Sequence, residues 1–167
     1  LGSGDPKYGS RLHFLQKRYP KKMSFVNGYD NELSHLIEAG SDFFMMPSLF
    51  EPCGLNQLYS LAYGTLPIVR ETGGLKDTVV GLAPDHGNAP PVATSVDRNK
   101  EFATGISFVH PDSQGCYWAL KQAISLYLDH PKLYGQMQQL AMRQLFTWAE
   151  TAGAYEILFE NLLKTPI

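Results

Sequence analysis

Cysteine is scarce in this sequence of 167 residues. The two present, Cys53 and Cys116, form neither a C-x-x-C pair nor a Cys/His cluster of zinc spacing, which argues against a disulfide framework or a zinc site and for a reducing compartment. Charge is sparse too, at 18% of residues, with 14 Lys+Arg against 16 Asp+Glu and a net charge of -2. That balance excludes a coiled coil, a disordered tail and a nucleic-acid binder that lives on phosphate contacts. Long apolar runs are lacking: stretches such as Phe43–Met46 fall far short of the roughly 20 residues of a membrane span, so a soluble chain with no membrane partner is expected. The opening Leu1-Gly2-Ser3-Gly4-Asp5 has neither the basic nor the apolar region of a signal peptide. A Leu running straight into a glycine turn reads as the end of a strand whose earlier part is absent, so a portion of something larger is expected.

What is plentiful is apolar side chain, 44% of the total, enough in 167 residues to bury about 70% of the unfolded surface in one core. Its spacing alternates helices with short buried strands. Tyr8, Leu12, Leu15 and Tyr19 fall at helical spacing before Pro20, and 23–26 reads as a strand. Asp30 suits an N-cap, Leu33, Leu36 and Ile37 share a helical face, and Gly40 stands where a left-handed C-cap belongs. Phe43–Met46 is apolar throughout, as in a strand covered on both sides. Pro52 and Gly54 open a helix with Leu55, Leu58 and Leu61 inward and Gly64 at its end, and 66–69 is a second central strand. Prolines and glycines without a period make 82–104 a long loop. A last strand at 106–109 precedes a helical segment, 115–167. There Leu120, Ala123, Ile124, Tyr127 and Leu128 form one stripe, Pro131 restarts the helix, and Tyr155, Leu158, Phe159, Leu162 and Leu163 form another. The Leu158, Phe159 and Leu162 face is expected to pack onto protein, or to be left exposed if its partner is another domain. Strands alternating with helices predict an α/β fold, a Rossmann-like parallel sheet with helices on both faces.

Ligands of such sheets bind beyond the carboxyl ends of the strands, and three polar, glycine-bearing turns occupy such positions. Gly2-Ser3-Gly4 allows close backbone approach to a phosphate, although a plain strand-to-helix turn uses the same residues. In Ser48-Leu49-Phe50-Glu51-Pro52-Cys53-Gly54-Leu55-Asn56-Gln57, Glu51 can hold a sugar hydroxyl and the amides near Gly54 and Leu55 an anion; equally, Glu51 can be a helix-capping acid. Arg70-Glu71-Thr72-Gly73-Gly74-Leu75-Lys76-Asp77 follows the other central strand and has the backbone to cradle a phosphate or approach a sugar ring.

The Pro47-Ser48-Leu49-Phe50-Glu51-Pro52-Cys53-Gly54-Leu55-Asn56-Gln57 run is continued by Tyr63-Gly64-Thr65-Leu66-Pro67-Ile68-Val69 and Thr72-Gly73-Gly74-Leu75-Lys76-Asp77-Thr78-Val79. Together they resemble bacterial glycogen synthases and plant starch synthases. Leu1-Gly2-Ser3-Gly4-Asp5, Gly28-Tyr29-Asp30 and Phe146-Thr147-Trp148 extend the resemblance over nearly the whole chain except 82–104. It implies the C-terminal half of a GT-B glycosyltransferase, with residues 1–167 as the nucleotide-sugar-binding domain facing an N-terminal catalytic domain of the same polypeptide. The implied reaction is retaining transfer of glucose from ADP-glucose, or UDP-glucose, to the non-reducing end of an α-1,4-glucan. No cofactor and no metal ion take part, and the location is the cytoplasm, or the plastid in a plant.

By motif position, the resemblance makes Glu51 and Cys53 the catalytic-side residues, Glu51 contacting donor hydroxyls. It makes Gly2, Gly4, Tyr29, Gly54, Leu55, Asn56, Thr72, Gly73 and Gly74 donor-binding, with Tyr29 on the adenine and Asn56 near the distal phosphate. Cys53 read without the family is a small buried thiol that packs. Many GT-B transferases carry a second Glu eight residues after the first, where this chain has Tyr59. The family's diphosphate-neutralising Arg and Lys fall upstream of the first glycine turn and its catalytic-face histidine in the other domain. Arg70 and Lys76 are not obvious substitutes, so the isolated chain is expected to be inactive. The five histidines show no ligand spacing, and Lys17, Arg18, Lys21 and Lys22 read as a solvated helix end. A GT-B-like nucleotide-sugar epimerase and a non-catalytic nucleotide-sugar binding module are the competing readings.

Overall fold

The computed structural model describes residues 1–82, 103–144 and 146–164. The chain divides into two compact units, Leu1–Ser41 and Asp42–Ile167. In the first, helix α1 (Pro6–Arg18) begins as its sequence dictates: Pro6 occupies the first turn, where its missing N–H costs nothing, and the Asp5 carboxylate accepts from the Lys7 amide at 2.8 Å. Helix α2 (Asn31–Ala39) is capped by Asp30, which accepts from the Leu33 amide at 2.9 Å. Two expectations fail here. Residues 23–26 form no strand; their neighbourhood contributes one parallel bridge, Gly2 to Asn27, with the Gly2 amide donating to the Val26 carbonyl at 3.1 Å. Gly40 ends α2 at φ -92, an ordinary conformation rather than the left-handed one.

The second unit holds a parallel three-stranded sheet, β1 (Phe43–Met46), β2 (Leu66–Arg70) and β3 (Ile106–Phe108), in that spatial order. Helices α3 (Asn56–Tyr63), α4 (Gly73–Thr78), α5 (Ser113–Asp129), α6 (Pro131–Met142) and α7 (Trp148–Lys164) accompany it. Alternate strand residues divide the core between the two faces. Leu66, Ile68, Ile106 and Phe108 join Leu61 of α3, Ala119, Ala123 and Leu126 of α5, and Met137 and Ala141 of α6. Met46 and Val69 face the other way, onto Leu75 of α4 and Val79. The expected parallel sheet with helices on both faces is therefore present.

Details differ from the expectation. Only β2 is central among the described strands; β1 lies at an edge, and Phe43, Phe44 and Met45 are half-buried rather than covered on both sides. Leu55 precedes α3 and is exposed, whereas Gly64 does end that helix, in the left-handed conformation at φ 75. The predicted 82–104 loop lies, apart from its ends, outside the described residues.

On α5 the buried ridge is Gly115, Ala119, Ala123 and Leu126; of the expected stripe Ala123 is buried, whereas Leu120, Ile124, Tyr127 and Leu128 are exposed. Large apolar residues drew the expectation, but the helix meets the sheet on its small ones. A Cβ on Gly115 would lie 2.5 Å from the His110 carbonyl oxygen and 3.2 Å from the Phe108 ring. Leu126→Ala is accordingly expected to cost about 2–5 kcal/mol by cavity formation, and Leu128→Ala, at a residue 67% exposed, no more than about 0.5 kcal/mol. Urea denaturation of both variants checks the register, and equal losses would overturn it.

Tyr134 anchors α6 to the start of β1, its hydroxyl donating to the Asp42 carbonyl at 3.2 Å. Burial, with Asp42 and Tyr127 nearby, pushes the phenol up to about 12, so it stays a donor at physiological pH. Helix α7 is the exception to this packing. Leu158, Phe159 and Leu162 are exposed, the second of the two outcomes expected for that face.

Candidate functional site

Because β1 and β2 are adjacent and parallel, with Met46 opposite Val69, their carboxyl ends emerge side by side. The turn after β1 (47–55) and the turn after β2 (71–72, running into α4) therefore meet. The Gly74 amide donates to the carbonyl of Glu51 at 3.1 Å and to that of Pro52 at 3.3 Å. Their approach leaves no room for side chains: a Cβ on Gly73 would overlap the Glu51 carbonyl oxygen, and one on Gly74 would stand 2.7 Å from the Cys53 Cα. From the end of β2, Arg70 reaches back, its Nε donating to the Ser48 carbonyl at 2.7 Å and its second guanidinium arm to the Leu49 carbonyl. The guanidinium thereby holds the first turn.

Glu51 is half-exposed on this platform, with its Oε2 accepting from the Ser48 hydroxyl at 3.3 Å. It does not cap α3, whose N-cap is Leu55 with no side-chain hydrogen bond. The uncapped first turn of α3 offers an anion the backbone N–H of Asn56, an exposed residue, whereas Gln57 is fully buried. Cys53 is exposed rather than buried, its thiol donating to the Gly54 carbonyl at 3.5 Å, so the packing role expected of it fails. Beside Glu51, Leu49 and Phe50 project outward, Phe50 at 77% exposure. Thr72 is the N-cap of α4 without using its side chain.

The structure thus brings together Glu51, Cys53, Gly54, Leu55, Asn56, Thr72, Gly73 and Gly74. The remaining expected residues lie in the first unit. There the Gly28 amide donates to the Gly2 carbonyl at 3.2 Å, which sets the turn bearing Tyr29 beside the Gly2-Ser3-Gly4 turn. Tyr29 is 85% exposed, its hydroxyl 3.3 Å from the Asn31 side-chain oxygen. A Cβ on Gly2 or Gly4 would meet nothing within 4 Å, so neither glycine is needed for packing within the chain. The Asp5 carboxylate already occupies the N-terminus of α1, which favours the plain-turn reading over a phosphate on that helix.

No protein-family model matches the chain. Whole proteins do. A glycogen synthase of Aeromonas salmonicida (strain A449) is 45% identical over 163 residues, which cover 98% of this chain and 31% of that protein. Nearly the whole chain is thus similar to one segment of the glycogen synthases. Among solved structures, the catalytic domain of starch synthase IV from Arabidopsis thaliana, bound to ADP and acarbose, matches with a TM-score of 0.77 and 31% identity over 96% of this chain and 31% of its own. Sucrose-phosphate synthase from Thermosynechococcus elongatus matches with a TM-score of 0.59 and 24% identity over 96% of the chain and 37% of its own, a likeness of fold. The sheet is that of a GT-B glycosyltransferase, and the chain spans about a third of the length of the glycogen synthase it matches.

Within this synthase segment, sequence reasoning passed over Gln57 and Thr78. Gln57 is fully buried behind the first turn, where its Nε2 donates to the carbonyls of Cys53 and Gly54. A signal was present: Gln57 stands three and four residues before Ser60 and Leu61, on the buried face of α3. Among the described residues no group of three His, Cys, Asp or Glu is placed to hold a metal ion, and no helix is long and apolar enough to cross a membrane.

Proposed function

We propose that this chain is the donor-binding domain of a retaining glycogen or starch synthase, which moves glucose from ADP-glucose, or UDP-glucose, to the non-reducing end of an α-1,4-glucan. The observation that carries the reading is the seating of the Glu51 turn against the Thr72-Gly73-Gly74 turn at the carboxyl ends of two parallel strands. The carboxyl edge of its strands is where an open α/β sheet receives a nucleotide-bearing ligand. In this reading Glu51 accepts hydrogen bonds from donor glucose hydroxyls, and the first amides of α3 meet the diphosphate. The Gly73-Gly74 backbone closes on the sugar-diphosphate, while Tyr29 stacks on the base. Cys53 stands beside the sugar as a contact rather than a nucleophile. The glucan is met from the N-terminal domain, no metal ion takes part, and the protein works in the cytoplasm or, in a plant, the plastid.

Support also comes from the starch synthase IV likeness, since that protein was solved with ADP. The test is incorporation of labelled glucose into glycogen by the full-length protein, with ADP-glucose and UDP-glucose offered separately and excess EDTA in a parallel arm. Label is expected in the glucan with release of the nucleoside diphosphate, undiminished by EDTA. Recovery of the donor sugar as its epimer, or of bound but unchanged donor, would overturn the synthase reading.

A further inference from the structure

We propose that Gln57 and Thr78 are positioning residues, a buried brace that keeps the two donor turns in register; this rests on the donor-binding reading above. The two N–H bonds of the Gln57 Nε2 are shared among three acceptors, the carbonyls of Cys53 at 2.9 Å and Gly54 at 3.0 Å and the Thr78 hydroxyl at 3.2 Å. Thr78 passes the connection on, its Oγ1 donating to the Gly74 carbonyl at 2.5 Å. The first turn and the α4 turn are thus joined twice, at the front by the Gly74 amide on Glu51 and at the rear through two side chains.

The chemistry of the amide makes the orientation unambiguous. Two carbonyl oxygens face the Nε2, and turning the amide over would set its own oxygen against both of them. The opposite oxygen, Oε1, is buried with no hydrogen-bond partner among the described residues, so the side chain gives up satisfaction at one end to hold the turns at the other. Neither residue is on the ligand side: Gln57 is fully buried and Thr78 partly so. A ligand would gain from them only through the placement of Glu51 and the two glycines.

Thr78→Val in the full-length protein removes the hydroxyl at nearly constant volume, and Thr78→Ser returns it. Amide hydrogen exchange is expected to quicken about tenfold in peptides covering 49–57 and 72–76 of Thr78→Val and not in the sheet. The KM for ADP-glucose is expected to rise on the order of tenfold with the KM for glycogen unchanged, because small displacements of positioning groups are costly. Thr78→Ser should restore both. Gln57→Asn, whose amide is drawn back by one methylene, should reproduce the pattern and guards against a Val variant that does not fold. Unchanged exchange, or faster exchange throughout the protein, would overturn the brace. Faster exchange of the turns with an unchanged donor KM would overturn its positioning role. If the wild-type protein transfers no glucose, the synthase reading fails, and the exchange arm alone still decides the brace.

Discussion

Glu51→Gln in the full-length protein is expected to reduce turnover at saturating donor by roughly 10²-fold or more, on the order of 3 kcal/mol of transition-state stabilisation, with little change in melting temperature. The structure sharpens the contrast between the two roles the residue could have had. A helix-start acid would be coupled to α3, and its replacement would cost about 0.5–1 kcal/mol of stability while sparing catalysis. Glu51 is instead four residues ahead of the Leu55 N-cap, and among the described residues its carboxylate is engaged by the Ser48 hydroxyl. Gln retains an oxygen to accept that hydrogen bond, and the backbone carbonyl that receives the Gly74 amide is untouched. What the substitution removes is negative charge on a half-exposed carboxylate. Turnover measured beside a melting curve decides the matter. A stable variant of near-normal turnover would take Glu51 off the donor.

The alternation of helices and strands was legible because β1 and residues 66–69 of β2 are short unbroken apolar runs and β3 is interrupted only by Ser107. The candidate site was legible for the same reason: parallel strands put their following turns on one edge, so Glu51 and Gly73 could be paired from the order of elements alone. What could not be read was the direction in which side chains meet. Leu128 outweighs Ala119 in any hydrophobic tally, yet α5 packs by its alanines and Gly115, since close approach to the sheet selects small residues. Residues 23–26 have strand composition but no neighbour to make a ladder with beyond the Gly2 bridge. Gln57 reads as a polar residue at a helix start, and its burial depends on a hydroxyl 21 residues away. The exposed Leu158 face of α7 follows helical periodicity closely, but periodicity names an apolar face without naming what covers it.

Gly73→Ala is expected to be severely damaging, since it combines a left-handed backbone with a backbone clash. Gly73 holds φ +44, where an L side chain costs about 1–2 kcal/mol by its own backbone sterics. The added Cβ would also overlap the Glu51 carbonyl oxygen and lie 3.0 Å from its carbon. Neither neighbour is the movable end of a side chain; both are backbone, held in place by Arg70 on Ser48 and Leu49 and by Gln57 on Cys53 and Gly54. The two turns must therefore separate, and displacement of order 1 Å at groups that position a substrate costs about 10²-fold. Stability should fall by about 1–3 kcal/mol and kcat/KM for the nucleotide sugar by at least that 10²-fold. Gly135→Ala is the control, since its Cβ meets nothing within 4 Å in the middle of α6, and it should leave transfer unchanged while adding a few tenths of a kcal/mol or more to stability. Catalytic loss without loss of stability would mean that the Gly73 turn yields freely and that only the ligand requires its closed form. Loss of stability without catalytic loss would mean that the close contact between the turns is architecture, and that the donor is held elsewhere.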